Sequence, residues 1–224
     1  MPSYELGGTY MIRFIRKNKV FPYIICTVLM MTGTVRADDE PSQPVLLFGD
    51  SIVAGYGLET EDALAAQINI IFEREGKQAI AINGGVSGDT TKKALNRLEW
   101  TLNQYEPEIV VIAVGSNDVL RGVPPRETRR NVTDMLHLLK ERNIITLLSA
   151  VRAPLNVGIA YSVEFNRIYP ELADEYDVPL YPFFLDGLYG KKEVMQGDGI
   201  HPNAQGVALI ADGLATYLME EWVR

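Results

Sequence analysis

Val45-Leu46-Leu47-Phe48-Gly49-Asp50-Ser51 is the stretch that decides the fold. Four apolar residues run without polar alternation, as in a parallel strand covered on both faces. A glycine and two small polar residues then end the run. Ala79-Ile80-Ala81-Ile82 and residues 109–114 and 144–148 repeat the apolar pattern. Between these runs, helical spacing appears over 62–75, 90–104, 126–142 and 161–176, and again over 204–222. Gly76 and Asn143 are suitable helix stops. Pro170 kinks its helix or marks a first turn. Leu180-Tyr181 supplies a short fifth strand. Such alternation predicts an α/β fold, a three-layer α/β/α sandwich around a parallel sheet of about five strands. Sheets of this kind place their sites at the carboxyl ends of the strands.

The first 37 residues form an N-terminal extension and secretory signal rather than part of the fold. Arg13, Arg16, Lys17 and Lys19 precede an apolar run over residues 20–31, and Val35-Arg36-Ala37 fits cleavage before Asp38. The run is short for a membrane span and Pro22 interrupts it. An uncleaved anchor is the alternative. Tyr23-Ile24-Ile25 lacks the small residues expected before a lipidated Cys26. Met11 is an alternative start, because residues 1–10 resemble no targeting element. Residues 38–224 are expected to form one domain, exported to the periplasm or beyond and not inserted in a membrane.

Five of the 21 basic residues and one of the 29 acids lie in residues 1–37. The remainder carries 16 basic and 28 acidic residues, net −12, which argues against a nucleic-acid partner. Cys26, the only cysteine, lies in the leader, so the exported part has neither disulfide nor thiol. With one usable histidine and no cysteine, neither a metal nor another cofactor is expected.

Two histidines occur, His137 and His201. Over 126–142, Val132, Met135, Leu136 and Leu139 share one helical face, and Arg130, Asp134, His137 and Glu141 the other. His137 is therefore a solvated surface residue and His201 the one candidate base. A hydroxyl nucleophile needs a base, and the base needs an acid to orient it. Ser51, His201 and Asp198 supply the three roles. Asp50 is assigned a structural part, bonding the turn that carries the nucleophile.

The other polar residues fall at the same strand ends. Asn83-Gly84-Gly85-Val86-Ser87-Gly88-Asp89-Thr90 follows the second strand and Gly115-Ser116-Asn117-Asp118 the third. A Gly88 backbone N–H and the Asn117 amide would make an oxyanion hole facing Ser51. A plainer assignment makes the glycines turns and Asn117 a helix cap. The convergence of all these loops on one sheet edge favours a site. Phosphate loops of the G-x-x-x-x-G-K-[ST] or G-x-G-x-x-G kind are absent. So is the G-x-S-x-G elbow, since Gly49-Asp50-Ser51-Ile52-Val53 lacks the second glycine.

Gly49-Asp50-Ser51, Gly88, Gly115-x-Asn117-Asp118 and Asp198-x-x-His201-Pro202 resemble, in order, the four sequence blocks of the SGNH (GDSL) hydrolases. Beyond the blocks, the chain resembles the bacterial thioesterase I/arylesterase/lysophospholipase subgroup. The stretches carrying this are Ser87-Gly88-Asp89-Thr90-Thr91, Leu120-Arg121-Gly122, Arg152-Ala153-Pro154-Leu155-Asn156-Val157-Gly158 and Val178-Pro179-Leu180-Tyr181-Pro182-Phe183-Phe184. The resemblance implies a flavodoxin-like sheet. It implies Ser51 as nucleophile, His201 as base and Asp198 as orienter, with oxyanion donors from Ser51, Gly88 and Asn117. The expected activity is hydrolysis of small acyl esters and thioesters by a monomer. Ala153, Pro154, Leu155, Asn156, Val157 and Gly158 are the expected wall of the acyl pocket, or else an ordinary connection. Ser116 departs from the glycine that thioesterase I relatives often carry, which leaves ester and thioester preference both open. A carbohydrate deacetylase or lipase is the alternative within the family. A secreted binding protein with a decayed site is the alternative outside it.

Overall fold

The computed structural model describes residues 42–223, and the leader with its cleavage site lies outside the described residues. The sheet comprises β1 (Gln43–Gly49), β2 (Ala79–Gly85), β3 (Ile109–Ala113), β4 (Ile145–Ser149) and β5 (Leu180–Tyr181). All four pairings are parallel, in the order β2-β1-β3-β4-β5. Strand order therefore reverses at β1, and the carboxyl end of β1 is the topological switch point where such sheets bind ligands. Ser51 stands there.

The helices are α1 (Ser51–Ala54), α2 (Leu64–Arg74), α3 (Thr91–Tyr105), α4 (Ser116–Leu120), α5 (Pro125–Glu141), α6 (Ile159–Asn166), α7 (Ile168–Tyr176) and α8 (Ala204–Glu221). α2 packs on α8; α3 packs on α5, and α5 on α6 and α7. These two helical layers enclose the sheet, as the strand–helix alternation predicts. Val45 through Phe48 and the whole of β3 are buried. β2 is an edge strand, and its Ile80 stays exposed. The Asn69 side chain covers that edge by donating to the Ala81 carbonyl (3.0 Å) and accepting from the Ala81 N–H (2.7 Å).

Two elements differ from expectation by more than a residue or two at their ends. β2 continues through Gly85, because Asn83, Gly84 and Gly85 keep pairing with Leu47, Phe48 and Gly49. The expected 83–90 loop therefore begins at Val86. The expected helix over 161–176 is two helices broken at Arg167. Pro170 is the third residue of α7; it has no N–H for the Asn166 carbonyl, so one continuous helix is disfavoured. Gly76 and Asn143 end their helices with φ of 65° and 55°.

Candidate active site

The turn after β1 sets the first element of the site. Gly49 has no room for a side chain, since a Cβ would overlap the Ala113 carbonyl and Val53. Asp50 then caps α1, its Oδ1 accepting the Ile52 N–H at 3.3 Å. Ser51 is the first residue of that helix. Asp50 is buried and its Oδ2 has no hydrogen-bond partner. Burial is the main cause that raises its pKa to about 6, while the Ile52 amide, a charged His201 and the Ser116 amide act in the opposite direction.

The second element is the irregular segment before α8. Asp198 Oδ1 accepts the N–H groups of Ile200 (2.9 Å) and His201 (3.0 Å). Its Oδ2 lies 2.6 Å from His201 Nδ1, and His201 Nε2 lies 2.9 Å from Ser51 Oγ. One carboxylate thus folds the turn and orients the ring. With Nδ1 protonated toward Asp198, the Nε2 lone pair faces the serine hydroxyl. The ring hydrogen bond, followed by the two amides, holds the Asp198 pKa down at about 2. Tyr56 covers the imidazole at 4.6 Å between centroids. Gln196 ties the same segment together. Its N–H donates to the His201 carbonyl, and its side chain to the carbonyls of Tyr56 (2.7 Å) and Pro202 (2.9 Å).

Two further loops complete the rim. Gly88 has φ of 81°, a left-handed conformation that glycine adopts without steric cost, and Arg121 Nη2 donates to its carbonyl at 3.1 Å. Asn117 is the second residue of α4. Its neighbour Asp118 is fully buried and accepts from the Thr91 N–H (2.8 Å), the Thr91 hydroxyl and the Thr128 hydroxyl (2.9 Å). These bonds fix α4 against the starts of α3 and α5.

Ser51, Gly88, Asn117 and His201 all line one cavity of about 400 Å³, with Asp198 behind His201. Of the six expected wall residues, Pro154 and Val157 line it. Ala153, Leu155, Asn156 and Gly158 do not line it. Ala153 is turned into the core, its N–H and carbonyl both held by the Asn166 side chain (2.7 and 3.1 Å). The 3-10 turn over Leu155–Val157 points Leu155 outward, 66 % exposed, and leaves Asn156 exposed. Gly158, at φ 119°, stands at the N-cap of α6.

The sequence reading missed much of the wall: Ile52, Tyr56, Val119, Phe183, Leu185, Tyr189 and Ile200. One signal was available. The stretch 183–189 holds Phe183, Phe184, Leu185, Leu188 and Tyr189 with neither helical nor strand period, just before the histidine block. His137 lies exposed on α5, edge-on to Tyr176. Among the described residues no cluster of three or more histidines, cysteines and acids could hold a metal ion.

The model of the GDSL-like lipase/acylhydrolase family matches residues 47–209. The thioesterase 1/protease 1/lysophospholipase L1 of Escherichia coli K12 is 37 % identical over 201 residues, covering 90 % of this chain and 94 % of that protein. An arylesterase of Vibrio mimicus is 36 % identical over 86 % of this chain and 96 % of its own length. The psychrotrophic esterase EstA from Pseudoalteromonas sp., solved with monoethylphosphonate as inhibitor, superposes with a TM-score of 0.76. It is 32 % identical, with 80 % of this chain and 98 % of that one covered. On its sequence blocks, its sheet and these relatives, the chain belongs to the GDSL-like lipase/acylhydrolase family.

Proposed function

We propose that this ester-bond hydrolase cleaves carboxylic esters and acyl thioesters through an acyl-enzyme on Ser51. The observation that carries this reading is the relay of two short contacts, Asp198 to His201 at 2.6 Å and His201 to Ser51 at 2.9 Å, opening on an apolar cavity. Ser51 Oγ attacks the acyl carbonyl as His201 Nε2 takes its proton. Asp198 stabilises the resulting imidazolium. The Ser51 and Gly88 backbone N–H groups and the Asn117 side-chain amide stabilise the oxyanion. His201 returns its proton to the leaving alcohol or thiol. Water, deprotonated by His201 in turn, then releases the acid.

The apolar wall favours an acyl chain over a sugar. Each methylene buried there is worth about 0.8 kcal/mol, so selectivity for chain length is shallow. The basic cluster and apolar run of the leader support export to the periplasm, where the chain acts as a monomer. On protein beginning at Asp38, p-nitrophenyl esters from acetate to decanoate and an acyl-CoA series should all be hydrolysed. Activity confined to one chain length, or to a sugar acetate, would overturn the reading. N-terminal sequencing of the exported protein should give Asp38, and retention of residues 1–37 would contradict cleavage there.

A further inference from the structure

Arg97 takes no part in the chemistry above and does not line the cavity, yet it bonds to two of the segments that build the site. From α3 its Nε donates to Asp89 Oδ2 at 2.7 Å, and its Nη2 donates to the Gly49 carbonyl at 3.0 Å. Asp89 follows Gly88, and Gly49 stands two residues before Ser51. The Gly49 carbonyl also accepts the Val86 N–H at 3.0 Å, so the strand end and the loop meet at one oxygen. The guanidinium carbon sits 4.2 Å over the Phe48 ring. The Asp89 and Arg97 side chains are 8 % and 21 % exposed.

A pair this buried is a weak source of stability, because desolvation of both ions offsets their attraction. What the guanidinium supplies is geometry. Its planar fork reaches two acceptors on different loops at once, which an ammonium on a flexible stem does not reproduce. We propose that Arg97 is a positioning residue that holds the Ser51 turn and the Gly88 loop in register, so that their N–H groups converge on one oxyanion. This rests on the reading of Ser51 as nucleophile and of Ser51 and Gly88 as oxyanion donors. Loss of one oxyanion donor costs about 10²–10³ in kcat in other serine hydrolases, and small misplacements cost less.

The test compares the wild type with Arg97→Lys and with the double variant Arg97→Met/Asp89→Leu. The double variant leaves no orphaned charge, and its melting temperature is measured beside the rates to establish that it folds. Each protein is titrated with a fluorophosphonate to count competent sites, and kcat, KM and the inactivation rate are measured per site. In both variants kcat and the inactivation rate should fall on the order of 10- to 100-fold, because the tetrahedral phosphorus calls on the same donors. KM should stay within about threefold. Rates per site equal to wild type in both variants, with only the melting temperature changed, would overturn the proposal. A wild type that acquires no adduct on Ser51 would overturn the underlying reading of the site, and the proposal with it.

Discussion

The turn that carries Ser51 and the turn that carries His201 are built alike, and their aspartates end in opposite states. Asp50 and Asp198 each accept the backbone N–H two residues ahead, at 3.3 and 2.9 Å. Asp50 is 2 % exposed, and its second oxygen is unpartnered. Asp198 is about a third exposed, and its second oxygen meets the imidazole. Burial takes the first pKa up to about 6, and hydrogen bonds from the His201 ring and the amides of residues 200 and 201 take the second down to about 2. The same residue type doing the same local job is thus a reluctant anion in one place and a firm one in the other. The lesson is that surroundings, more than motif, assign the charge that an imidazolium needs.

Removing the hydroxyl that both turns serve should have the largest effect. Ser51→Ala should lower kcat on the order of 10³–10⁶-fold, measured on a p-nitrophenyl ester. Breaking the charged side comes next. Asp198→Asn keeps the size and loses the anion, and kcat should fall on the order of 10⁴-fold, as when the corresponding carboxylate is neutralised in serine proteases. Asp50→Asn should cost far less, within about tenfold, because the amide oxygen can still accept the Ile52 N–H. If the asparagine at 50 were the more damaging of the two, the assignment of orienter would be reversed.

Stability sharpens the contrast through its pH dependence. For Asp198 the depressed pKa means a contribution present above about 4 and lost as pH falls through about 2. For Asp50 the sign is opposite. Between about 4 and 6 the folded carboxyl keeps a proton that the unfolded chain has released, so stability falls as pH rises across that window. The whole change is up to roughly 3 kcal/mol, two pKa units at 1.36 kcal/mol each. Urea unfolding at pH 4 and pH 7 should show Asp50→Asn equal to or below wild type at the lower pH and gaining on it at the higher. A constant difference would place Asp50 in a more solvated setting than its burial indicates. The smallest expected effect is that of a chelator, which should leave hydrolysis unchanged. Activity lost to chelation and restored by a divalent ion would contradict the serine mechanism.

Much of this was legible in the sequence, for physical reasons. Residues 45–48 of β1 and the whole of β3 are buried and so are written as unbroken apolar runs, while β4 keeps the pattern around a buried Thr146. Three of the four polar blocks follow strand ends, where a parallel sheet leaves its sites, and the Asp198–His201 block reaches them from the irregular segment before α8. What was less legible depends on contacts distant in the chain. β2 extends through two glycines because both still pair with β1 and α1 lies against Gly85. The cavity wall drew on residues 183–189, which follow no helical or strand period. Ala153 faces the core because Asn166, thirteen residues on, holds its backbone. Gln196 and Arg97 look like ordinary polar residues until the fold brings Tyr56 to one and Gly49 to the other.

The most direct test of the central claim is to map the adduct of a fluorophosphonate by mass spectrometry. Ser51, Ser87 and Ser116 all line the cavity, so the reagent has three serine hydroxyls to choose from. Only Ser51 has an imidazole nitrogen 2.9 Å from its Oγ and an ionised carboxylate behind that ring. The account predicts a single adduct per chain on the Ser51 peptide, formed far more slowly in Asp198→Asn. An adduct on Ser87 or Ser116, or labelling at an undiminished rate in Asp198→Asn, would contradict it.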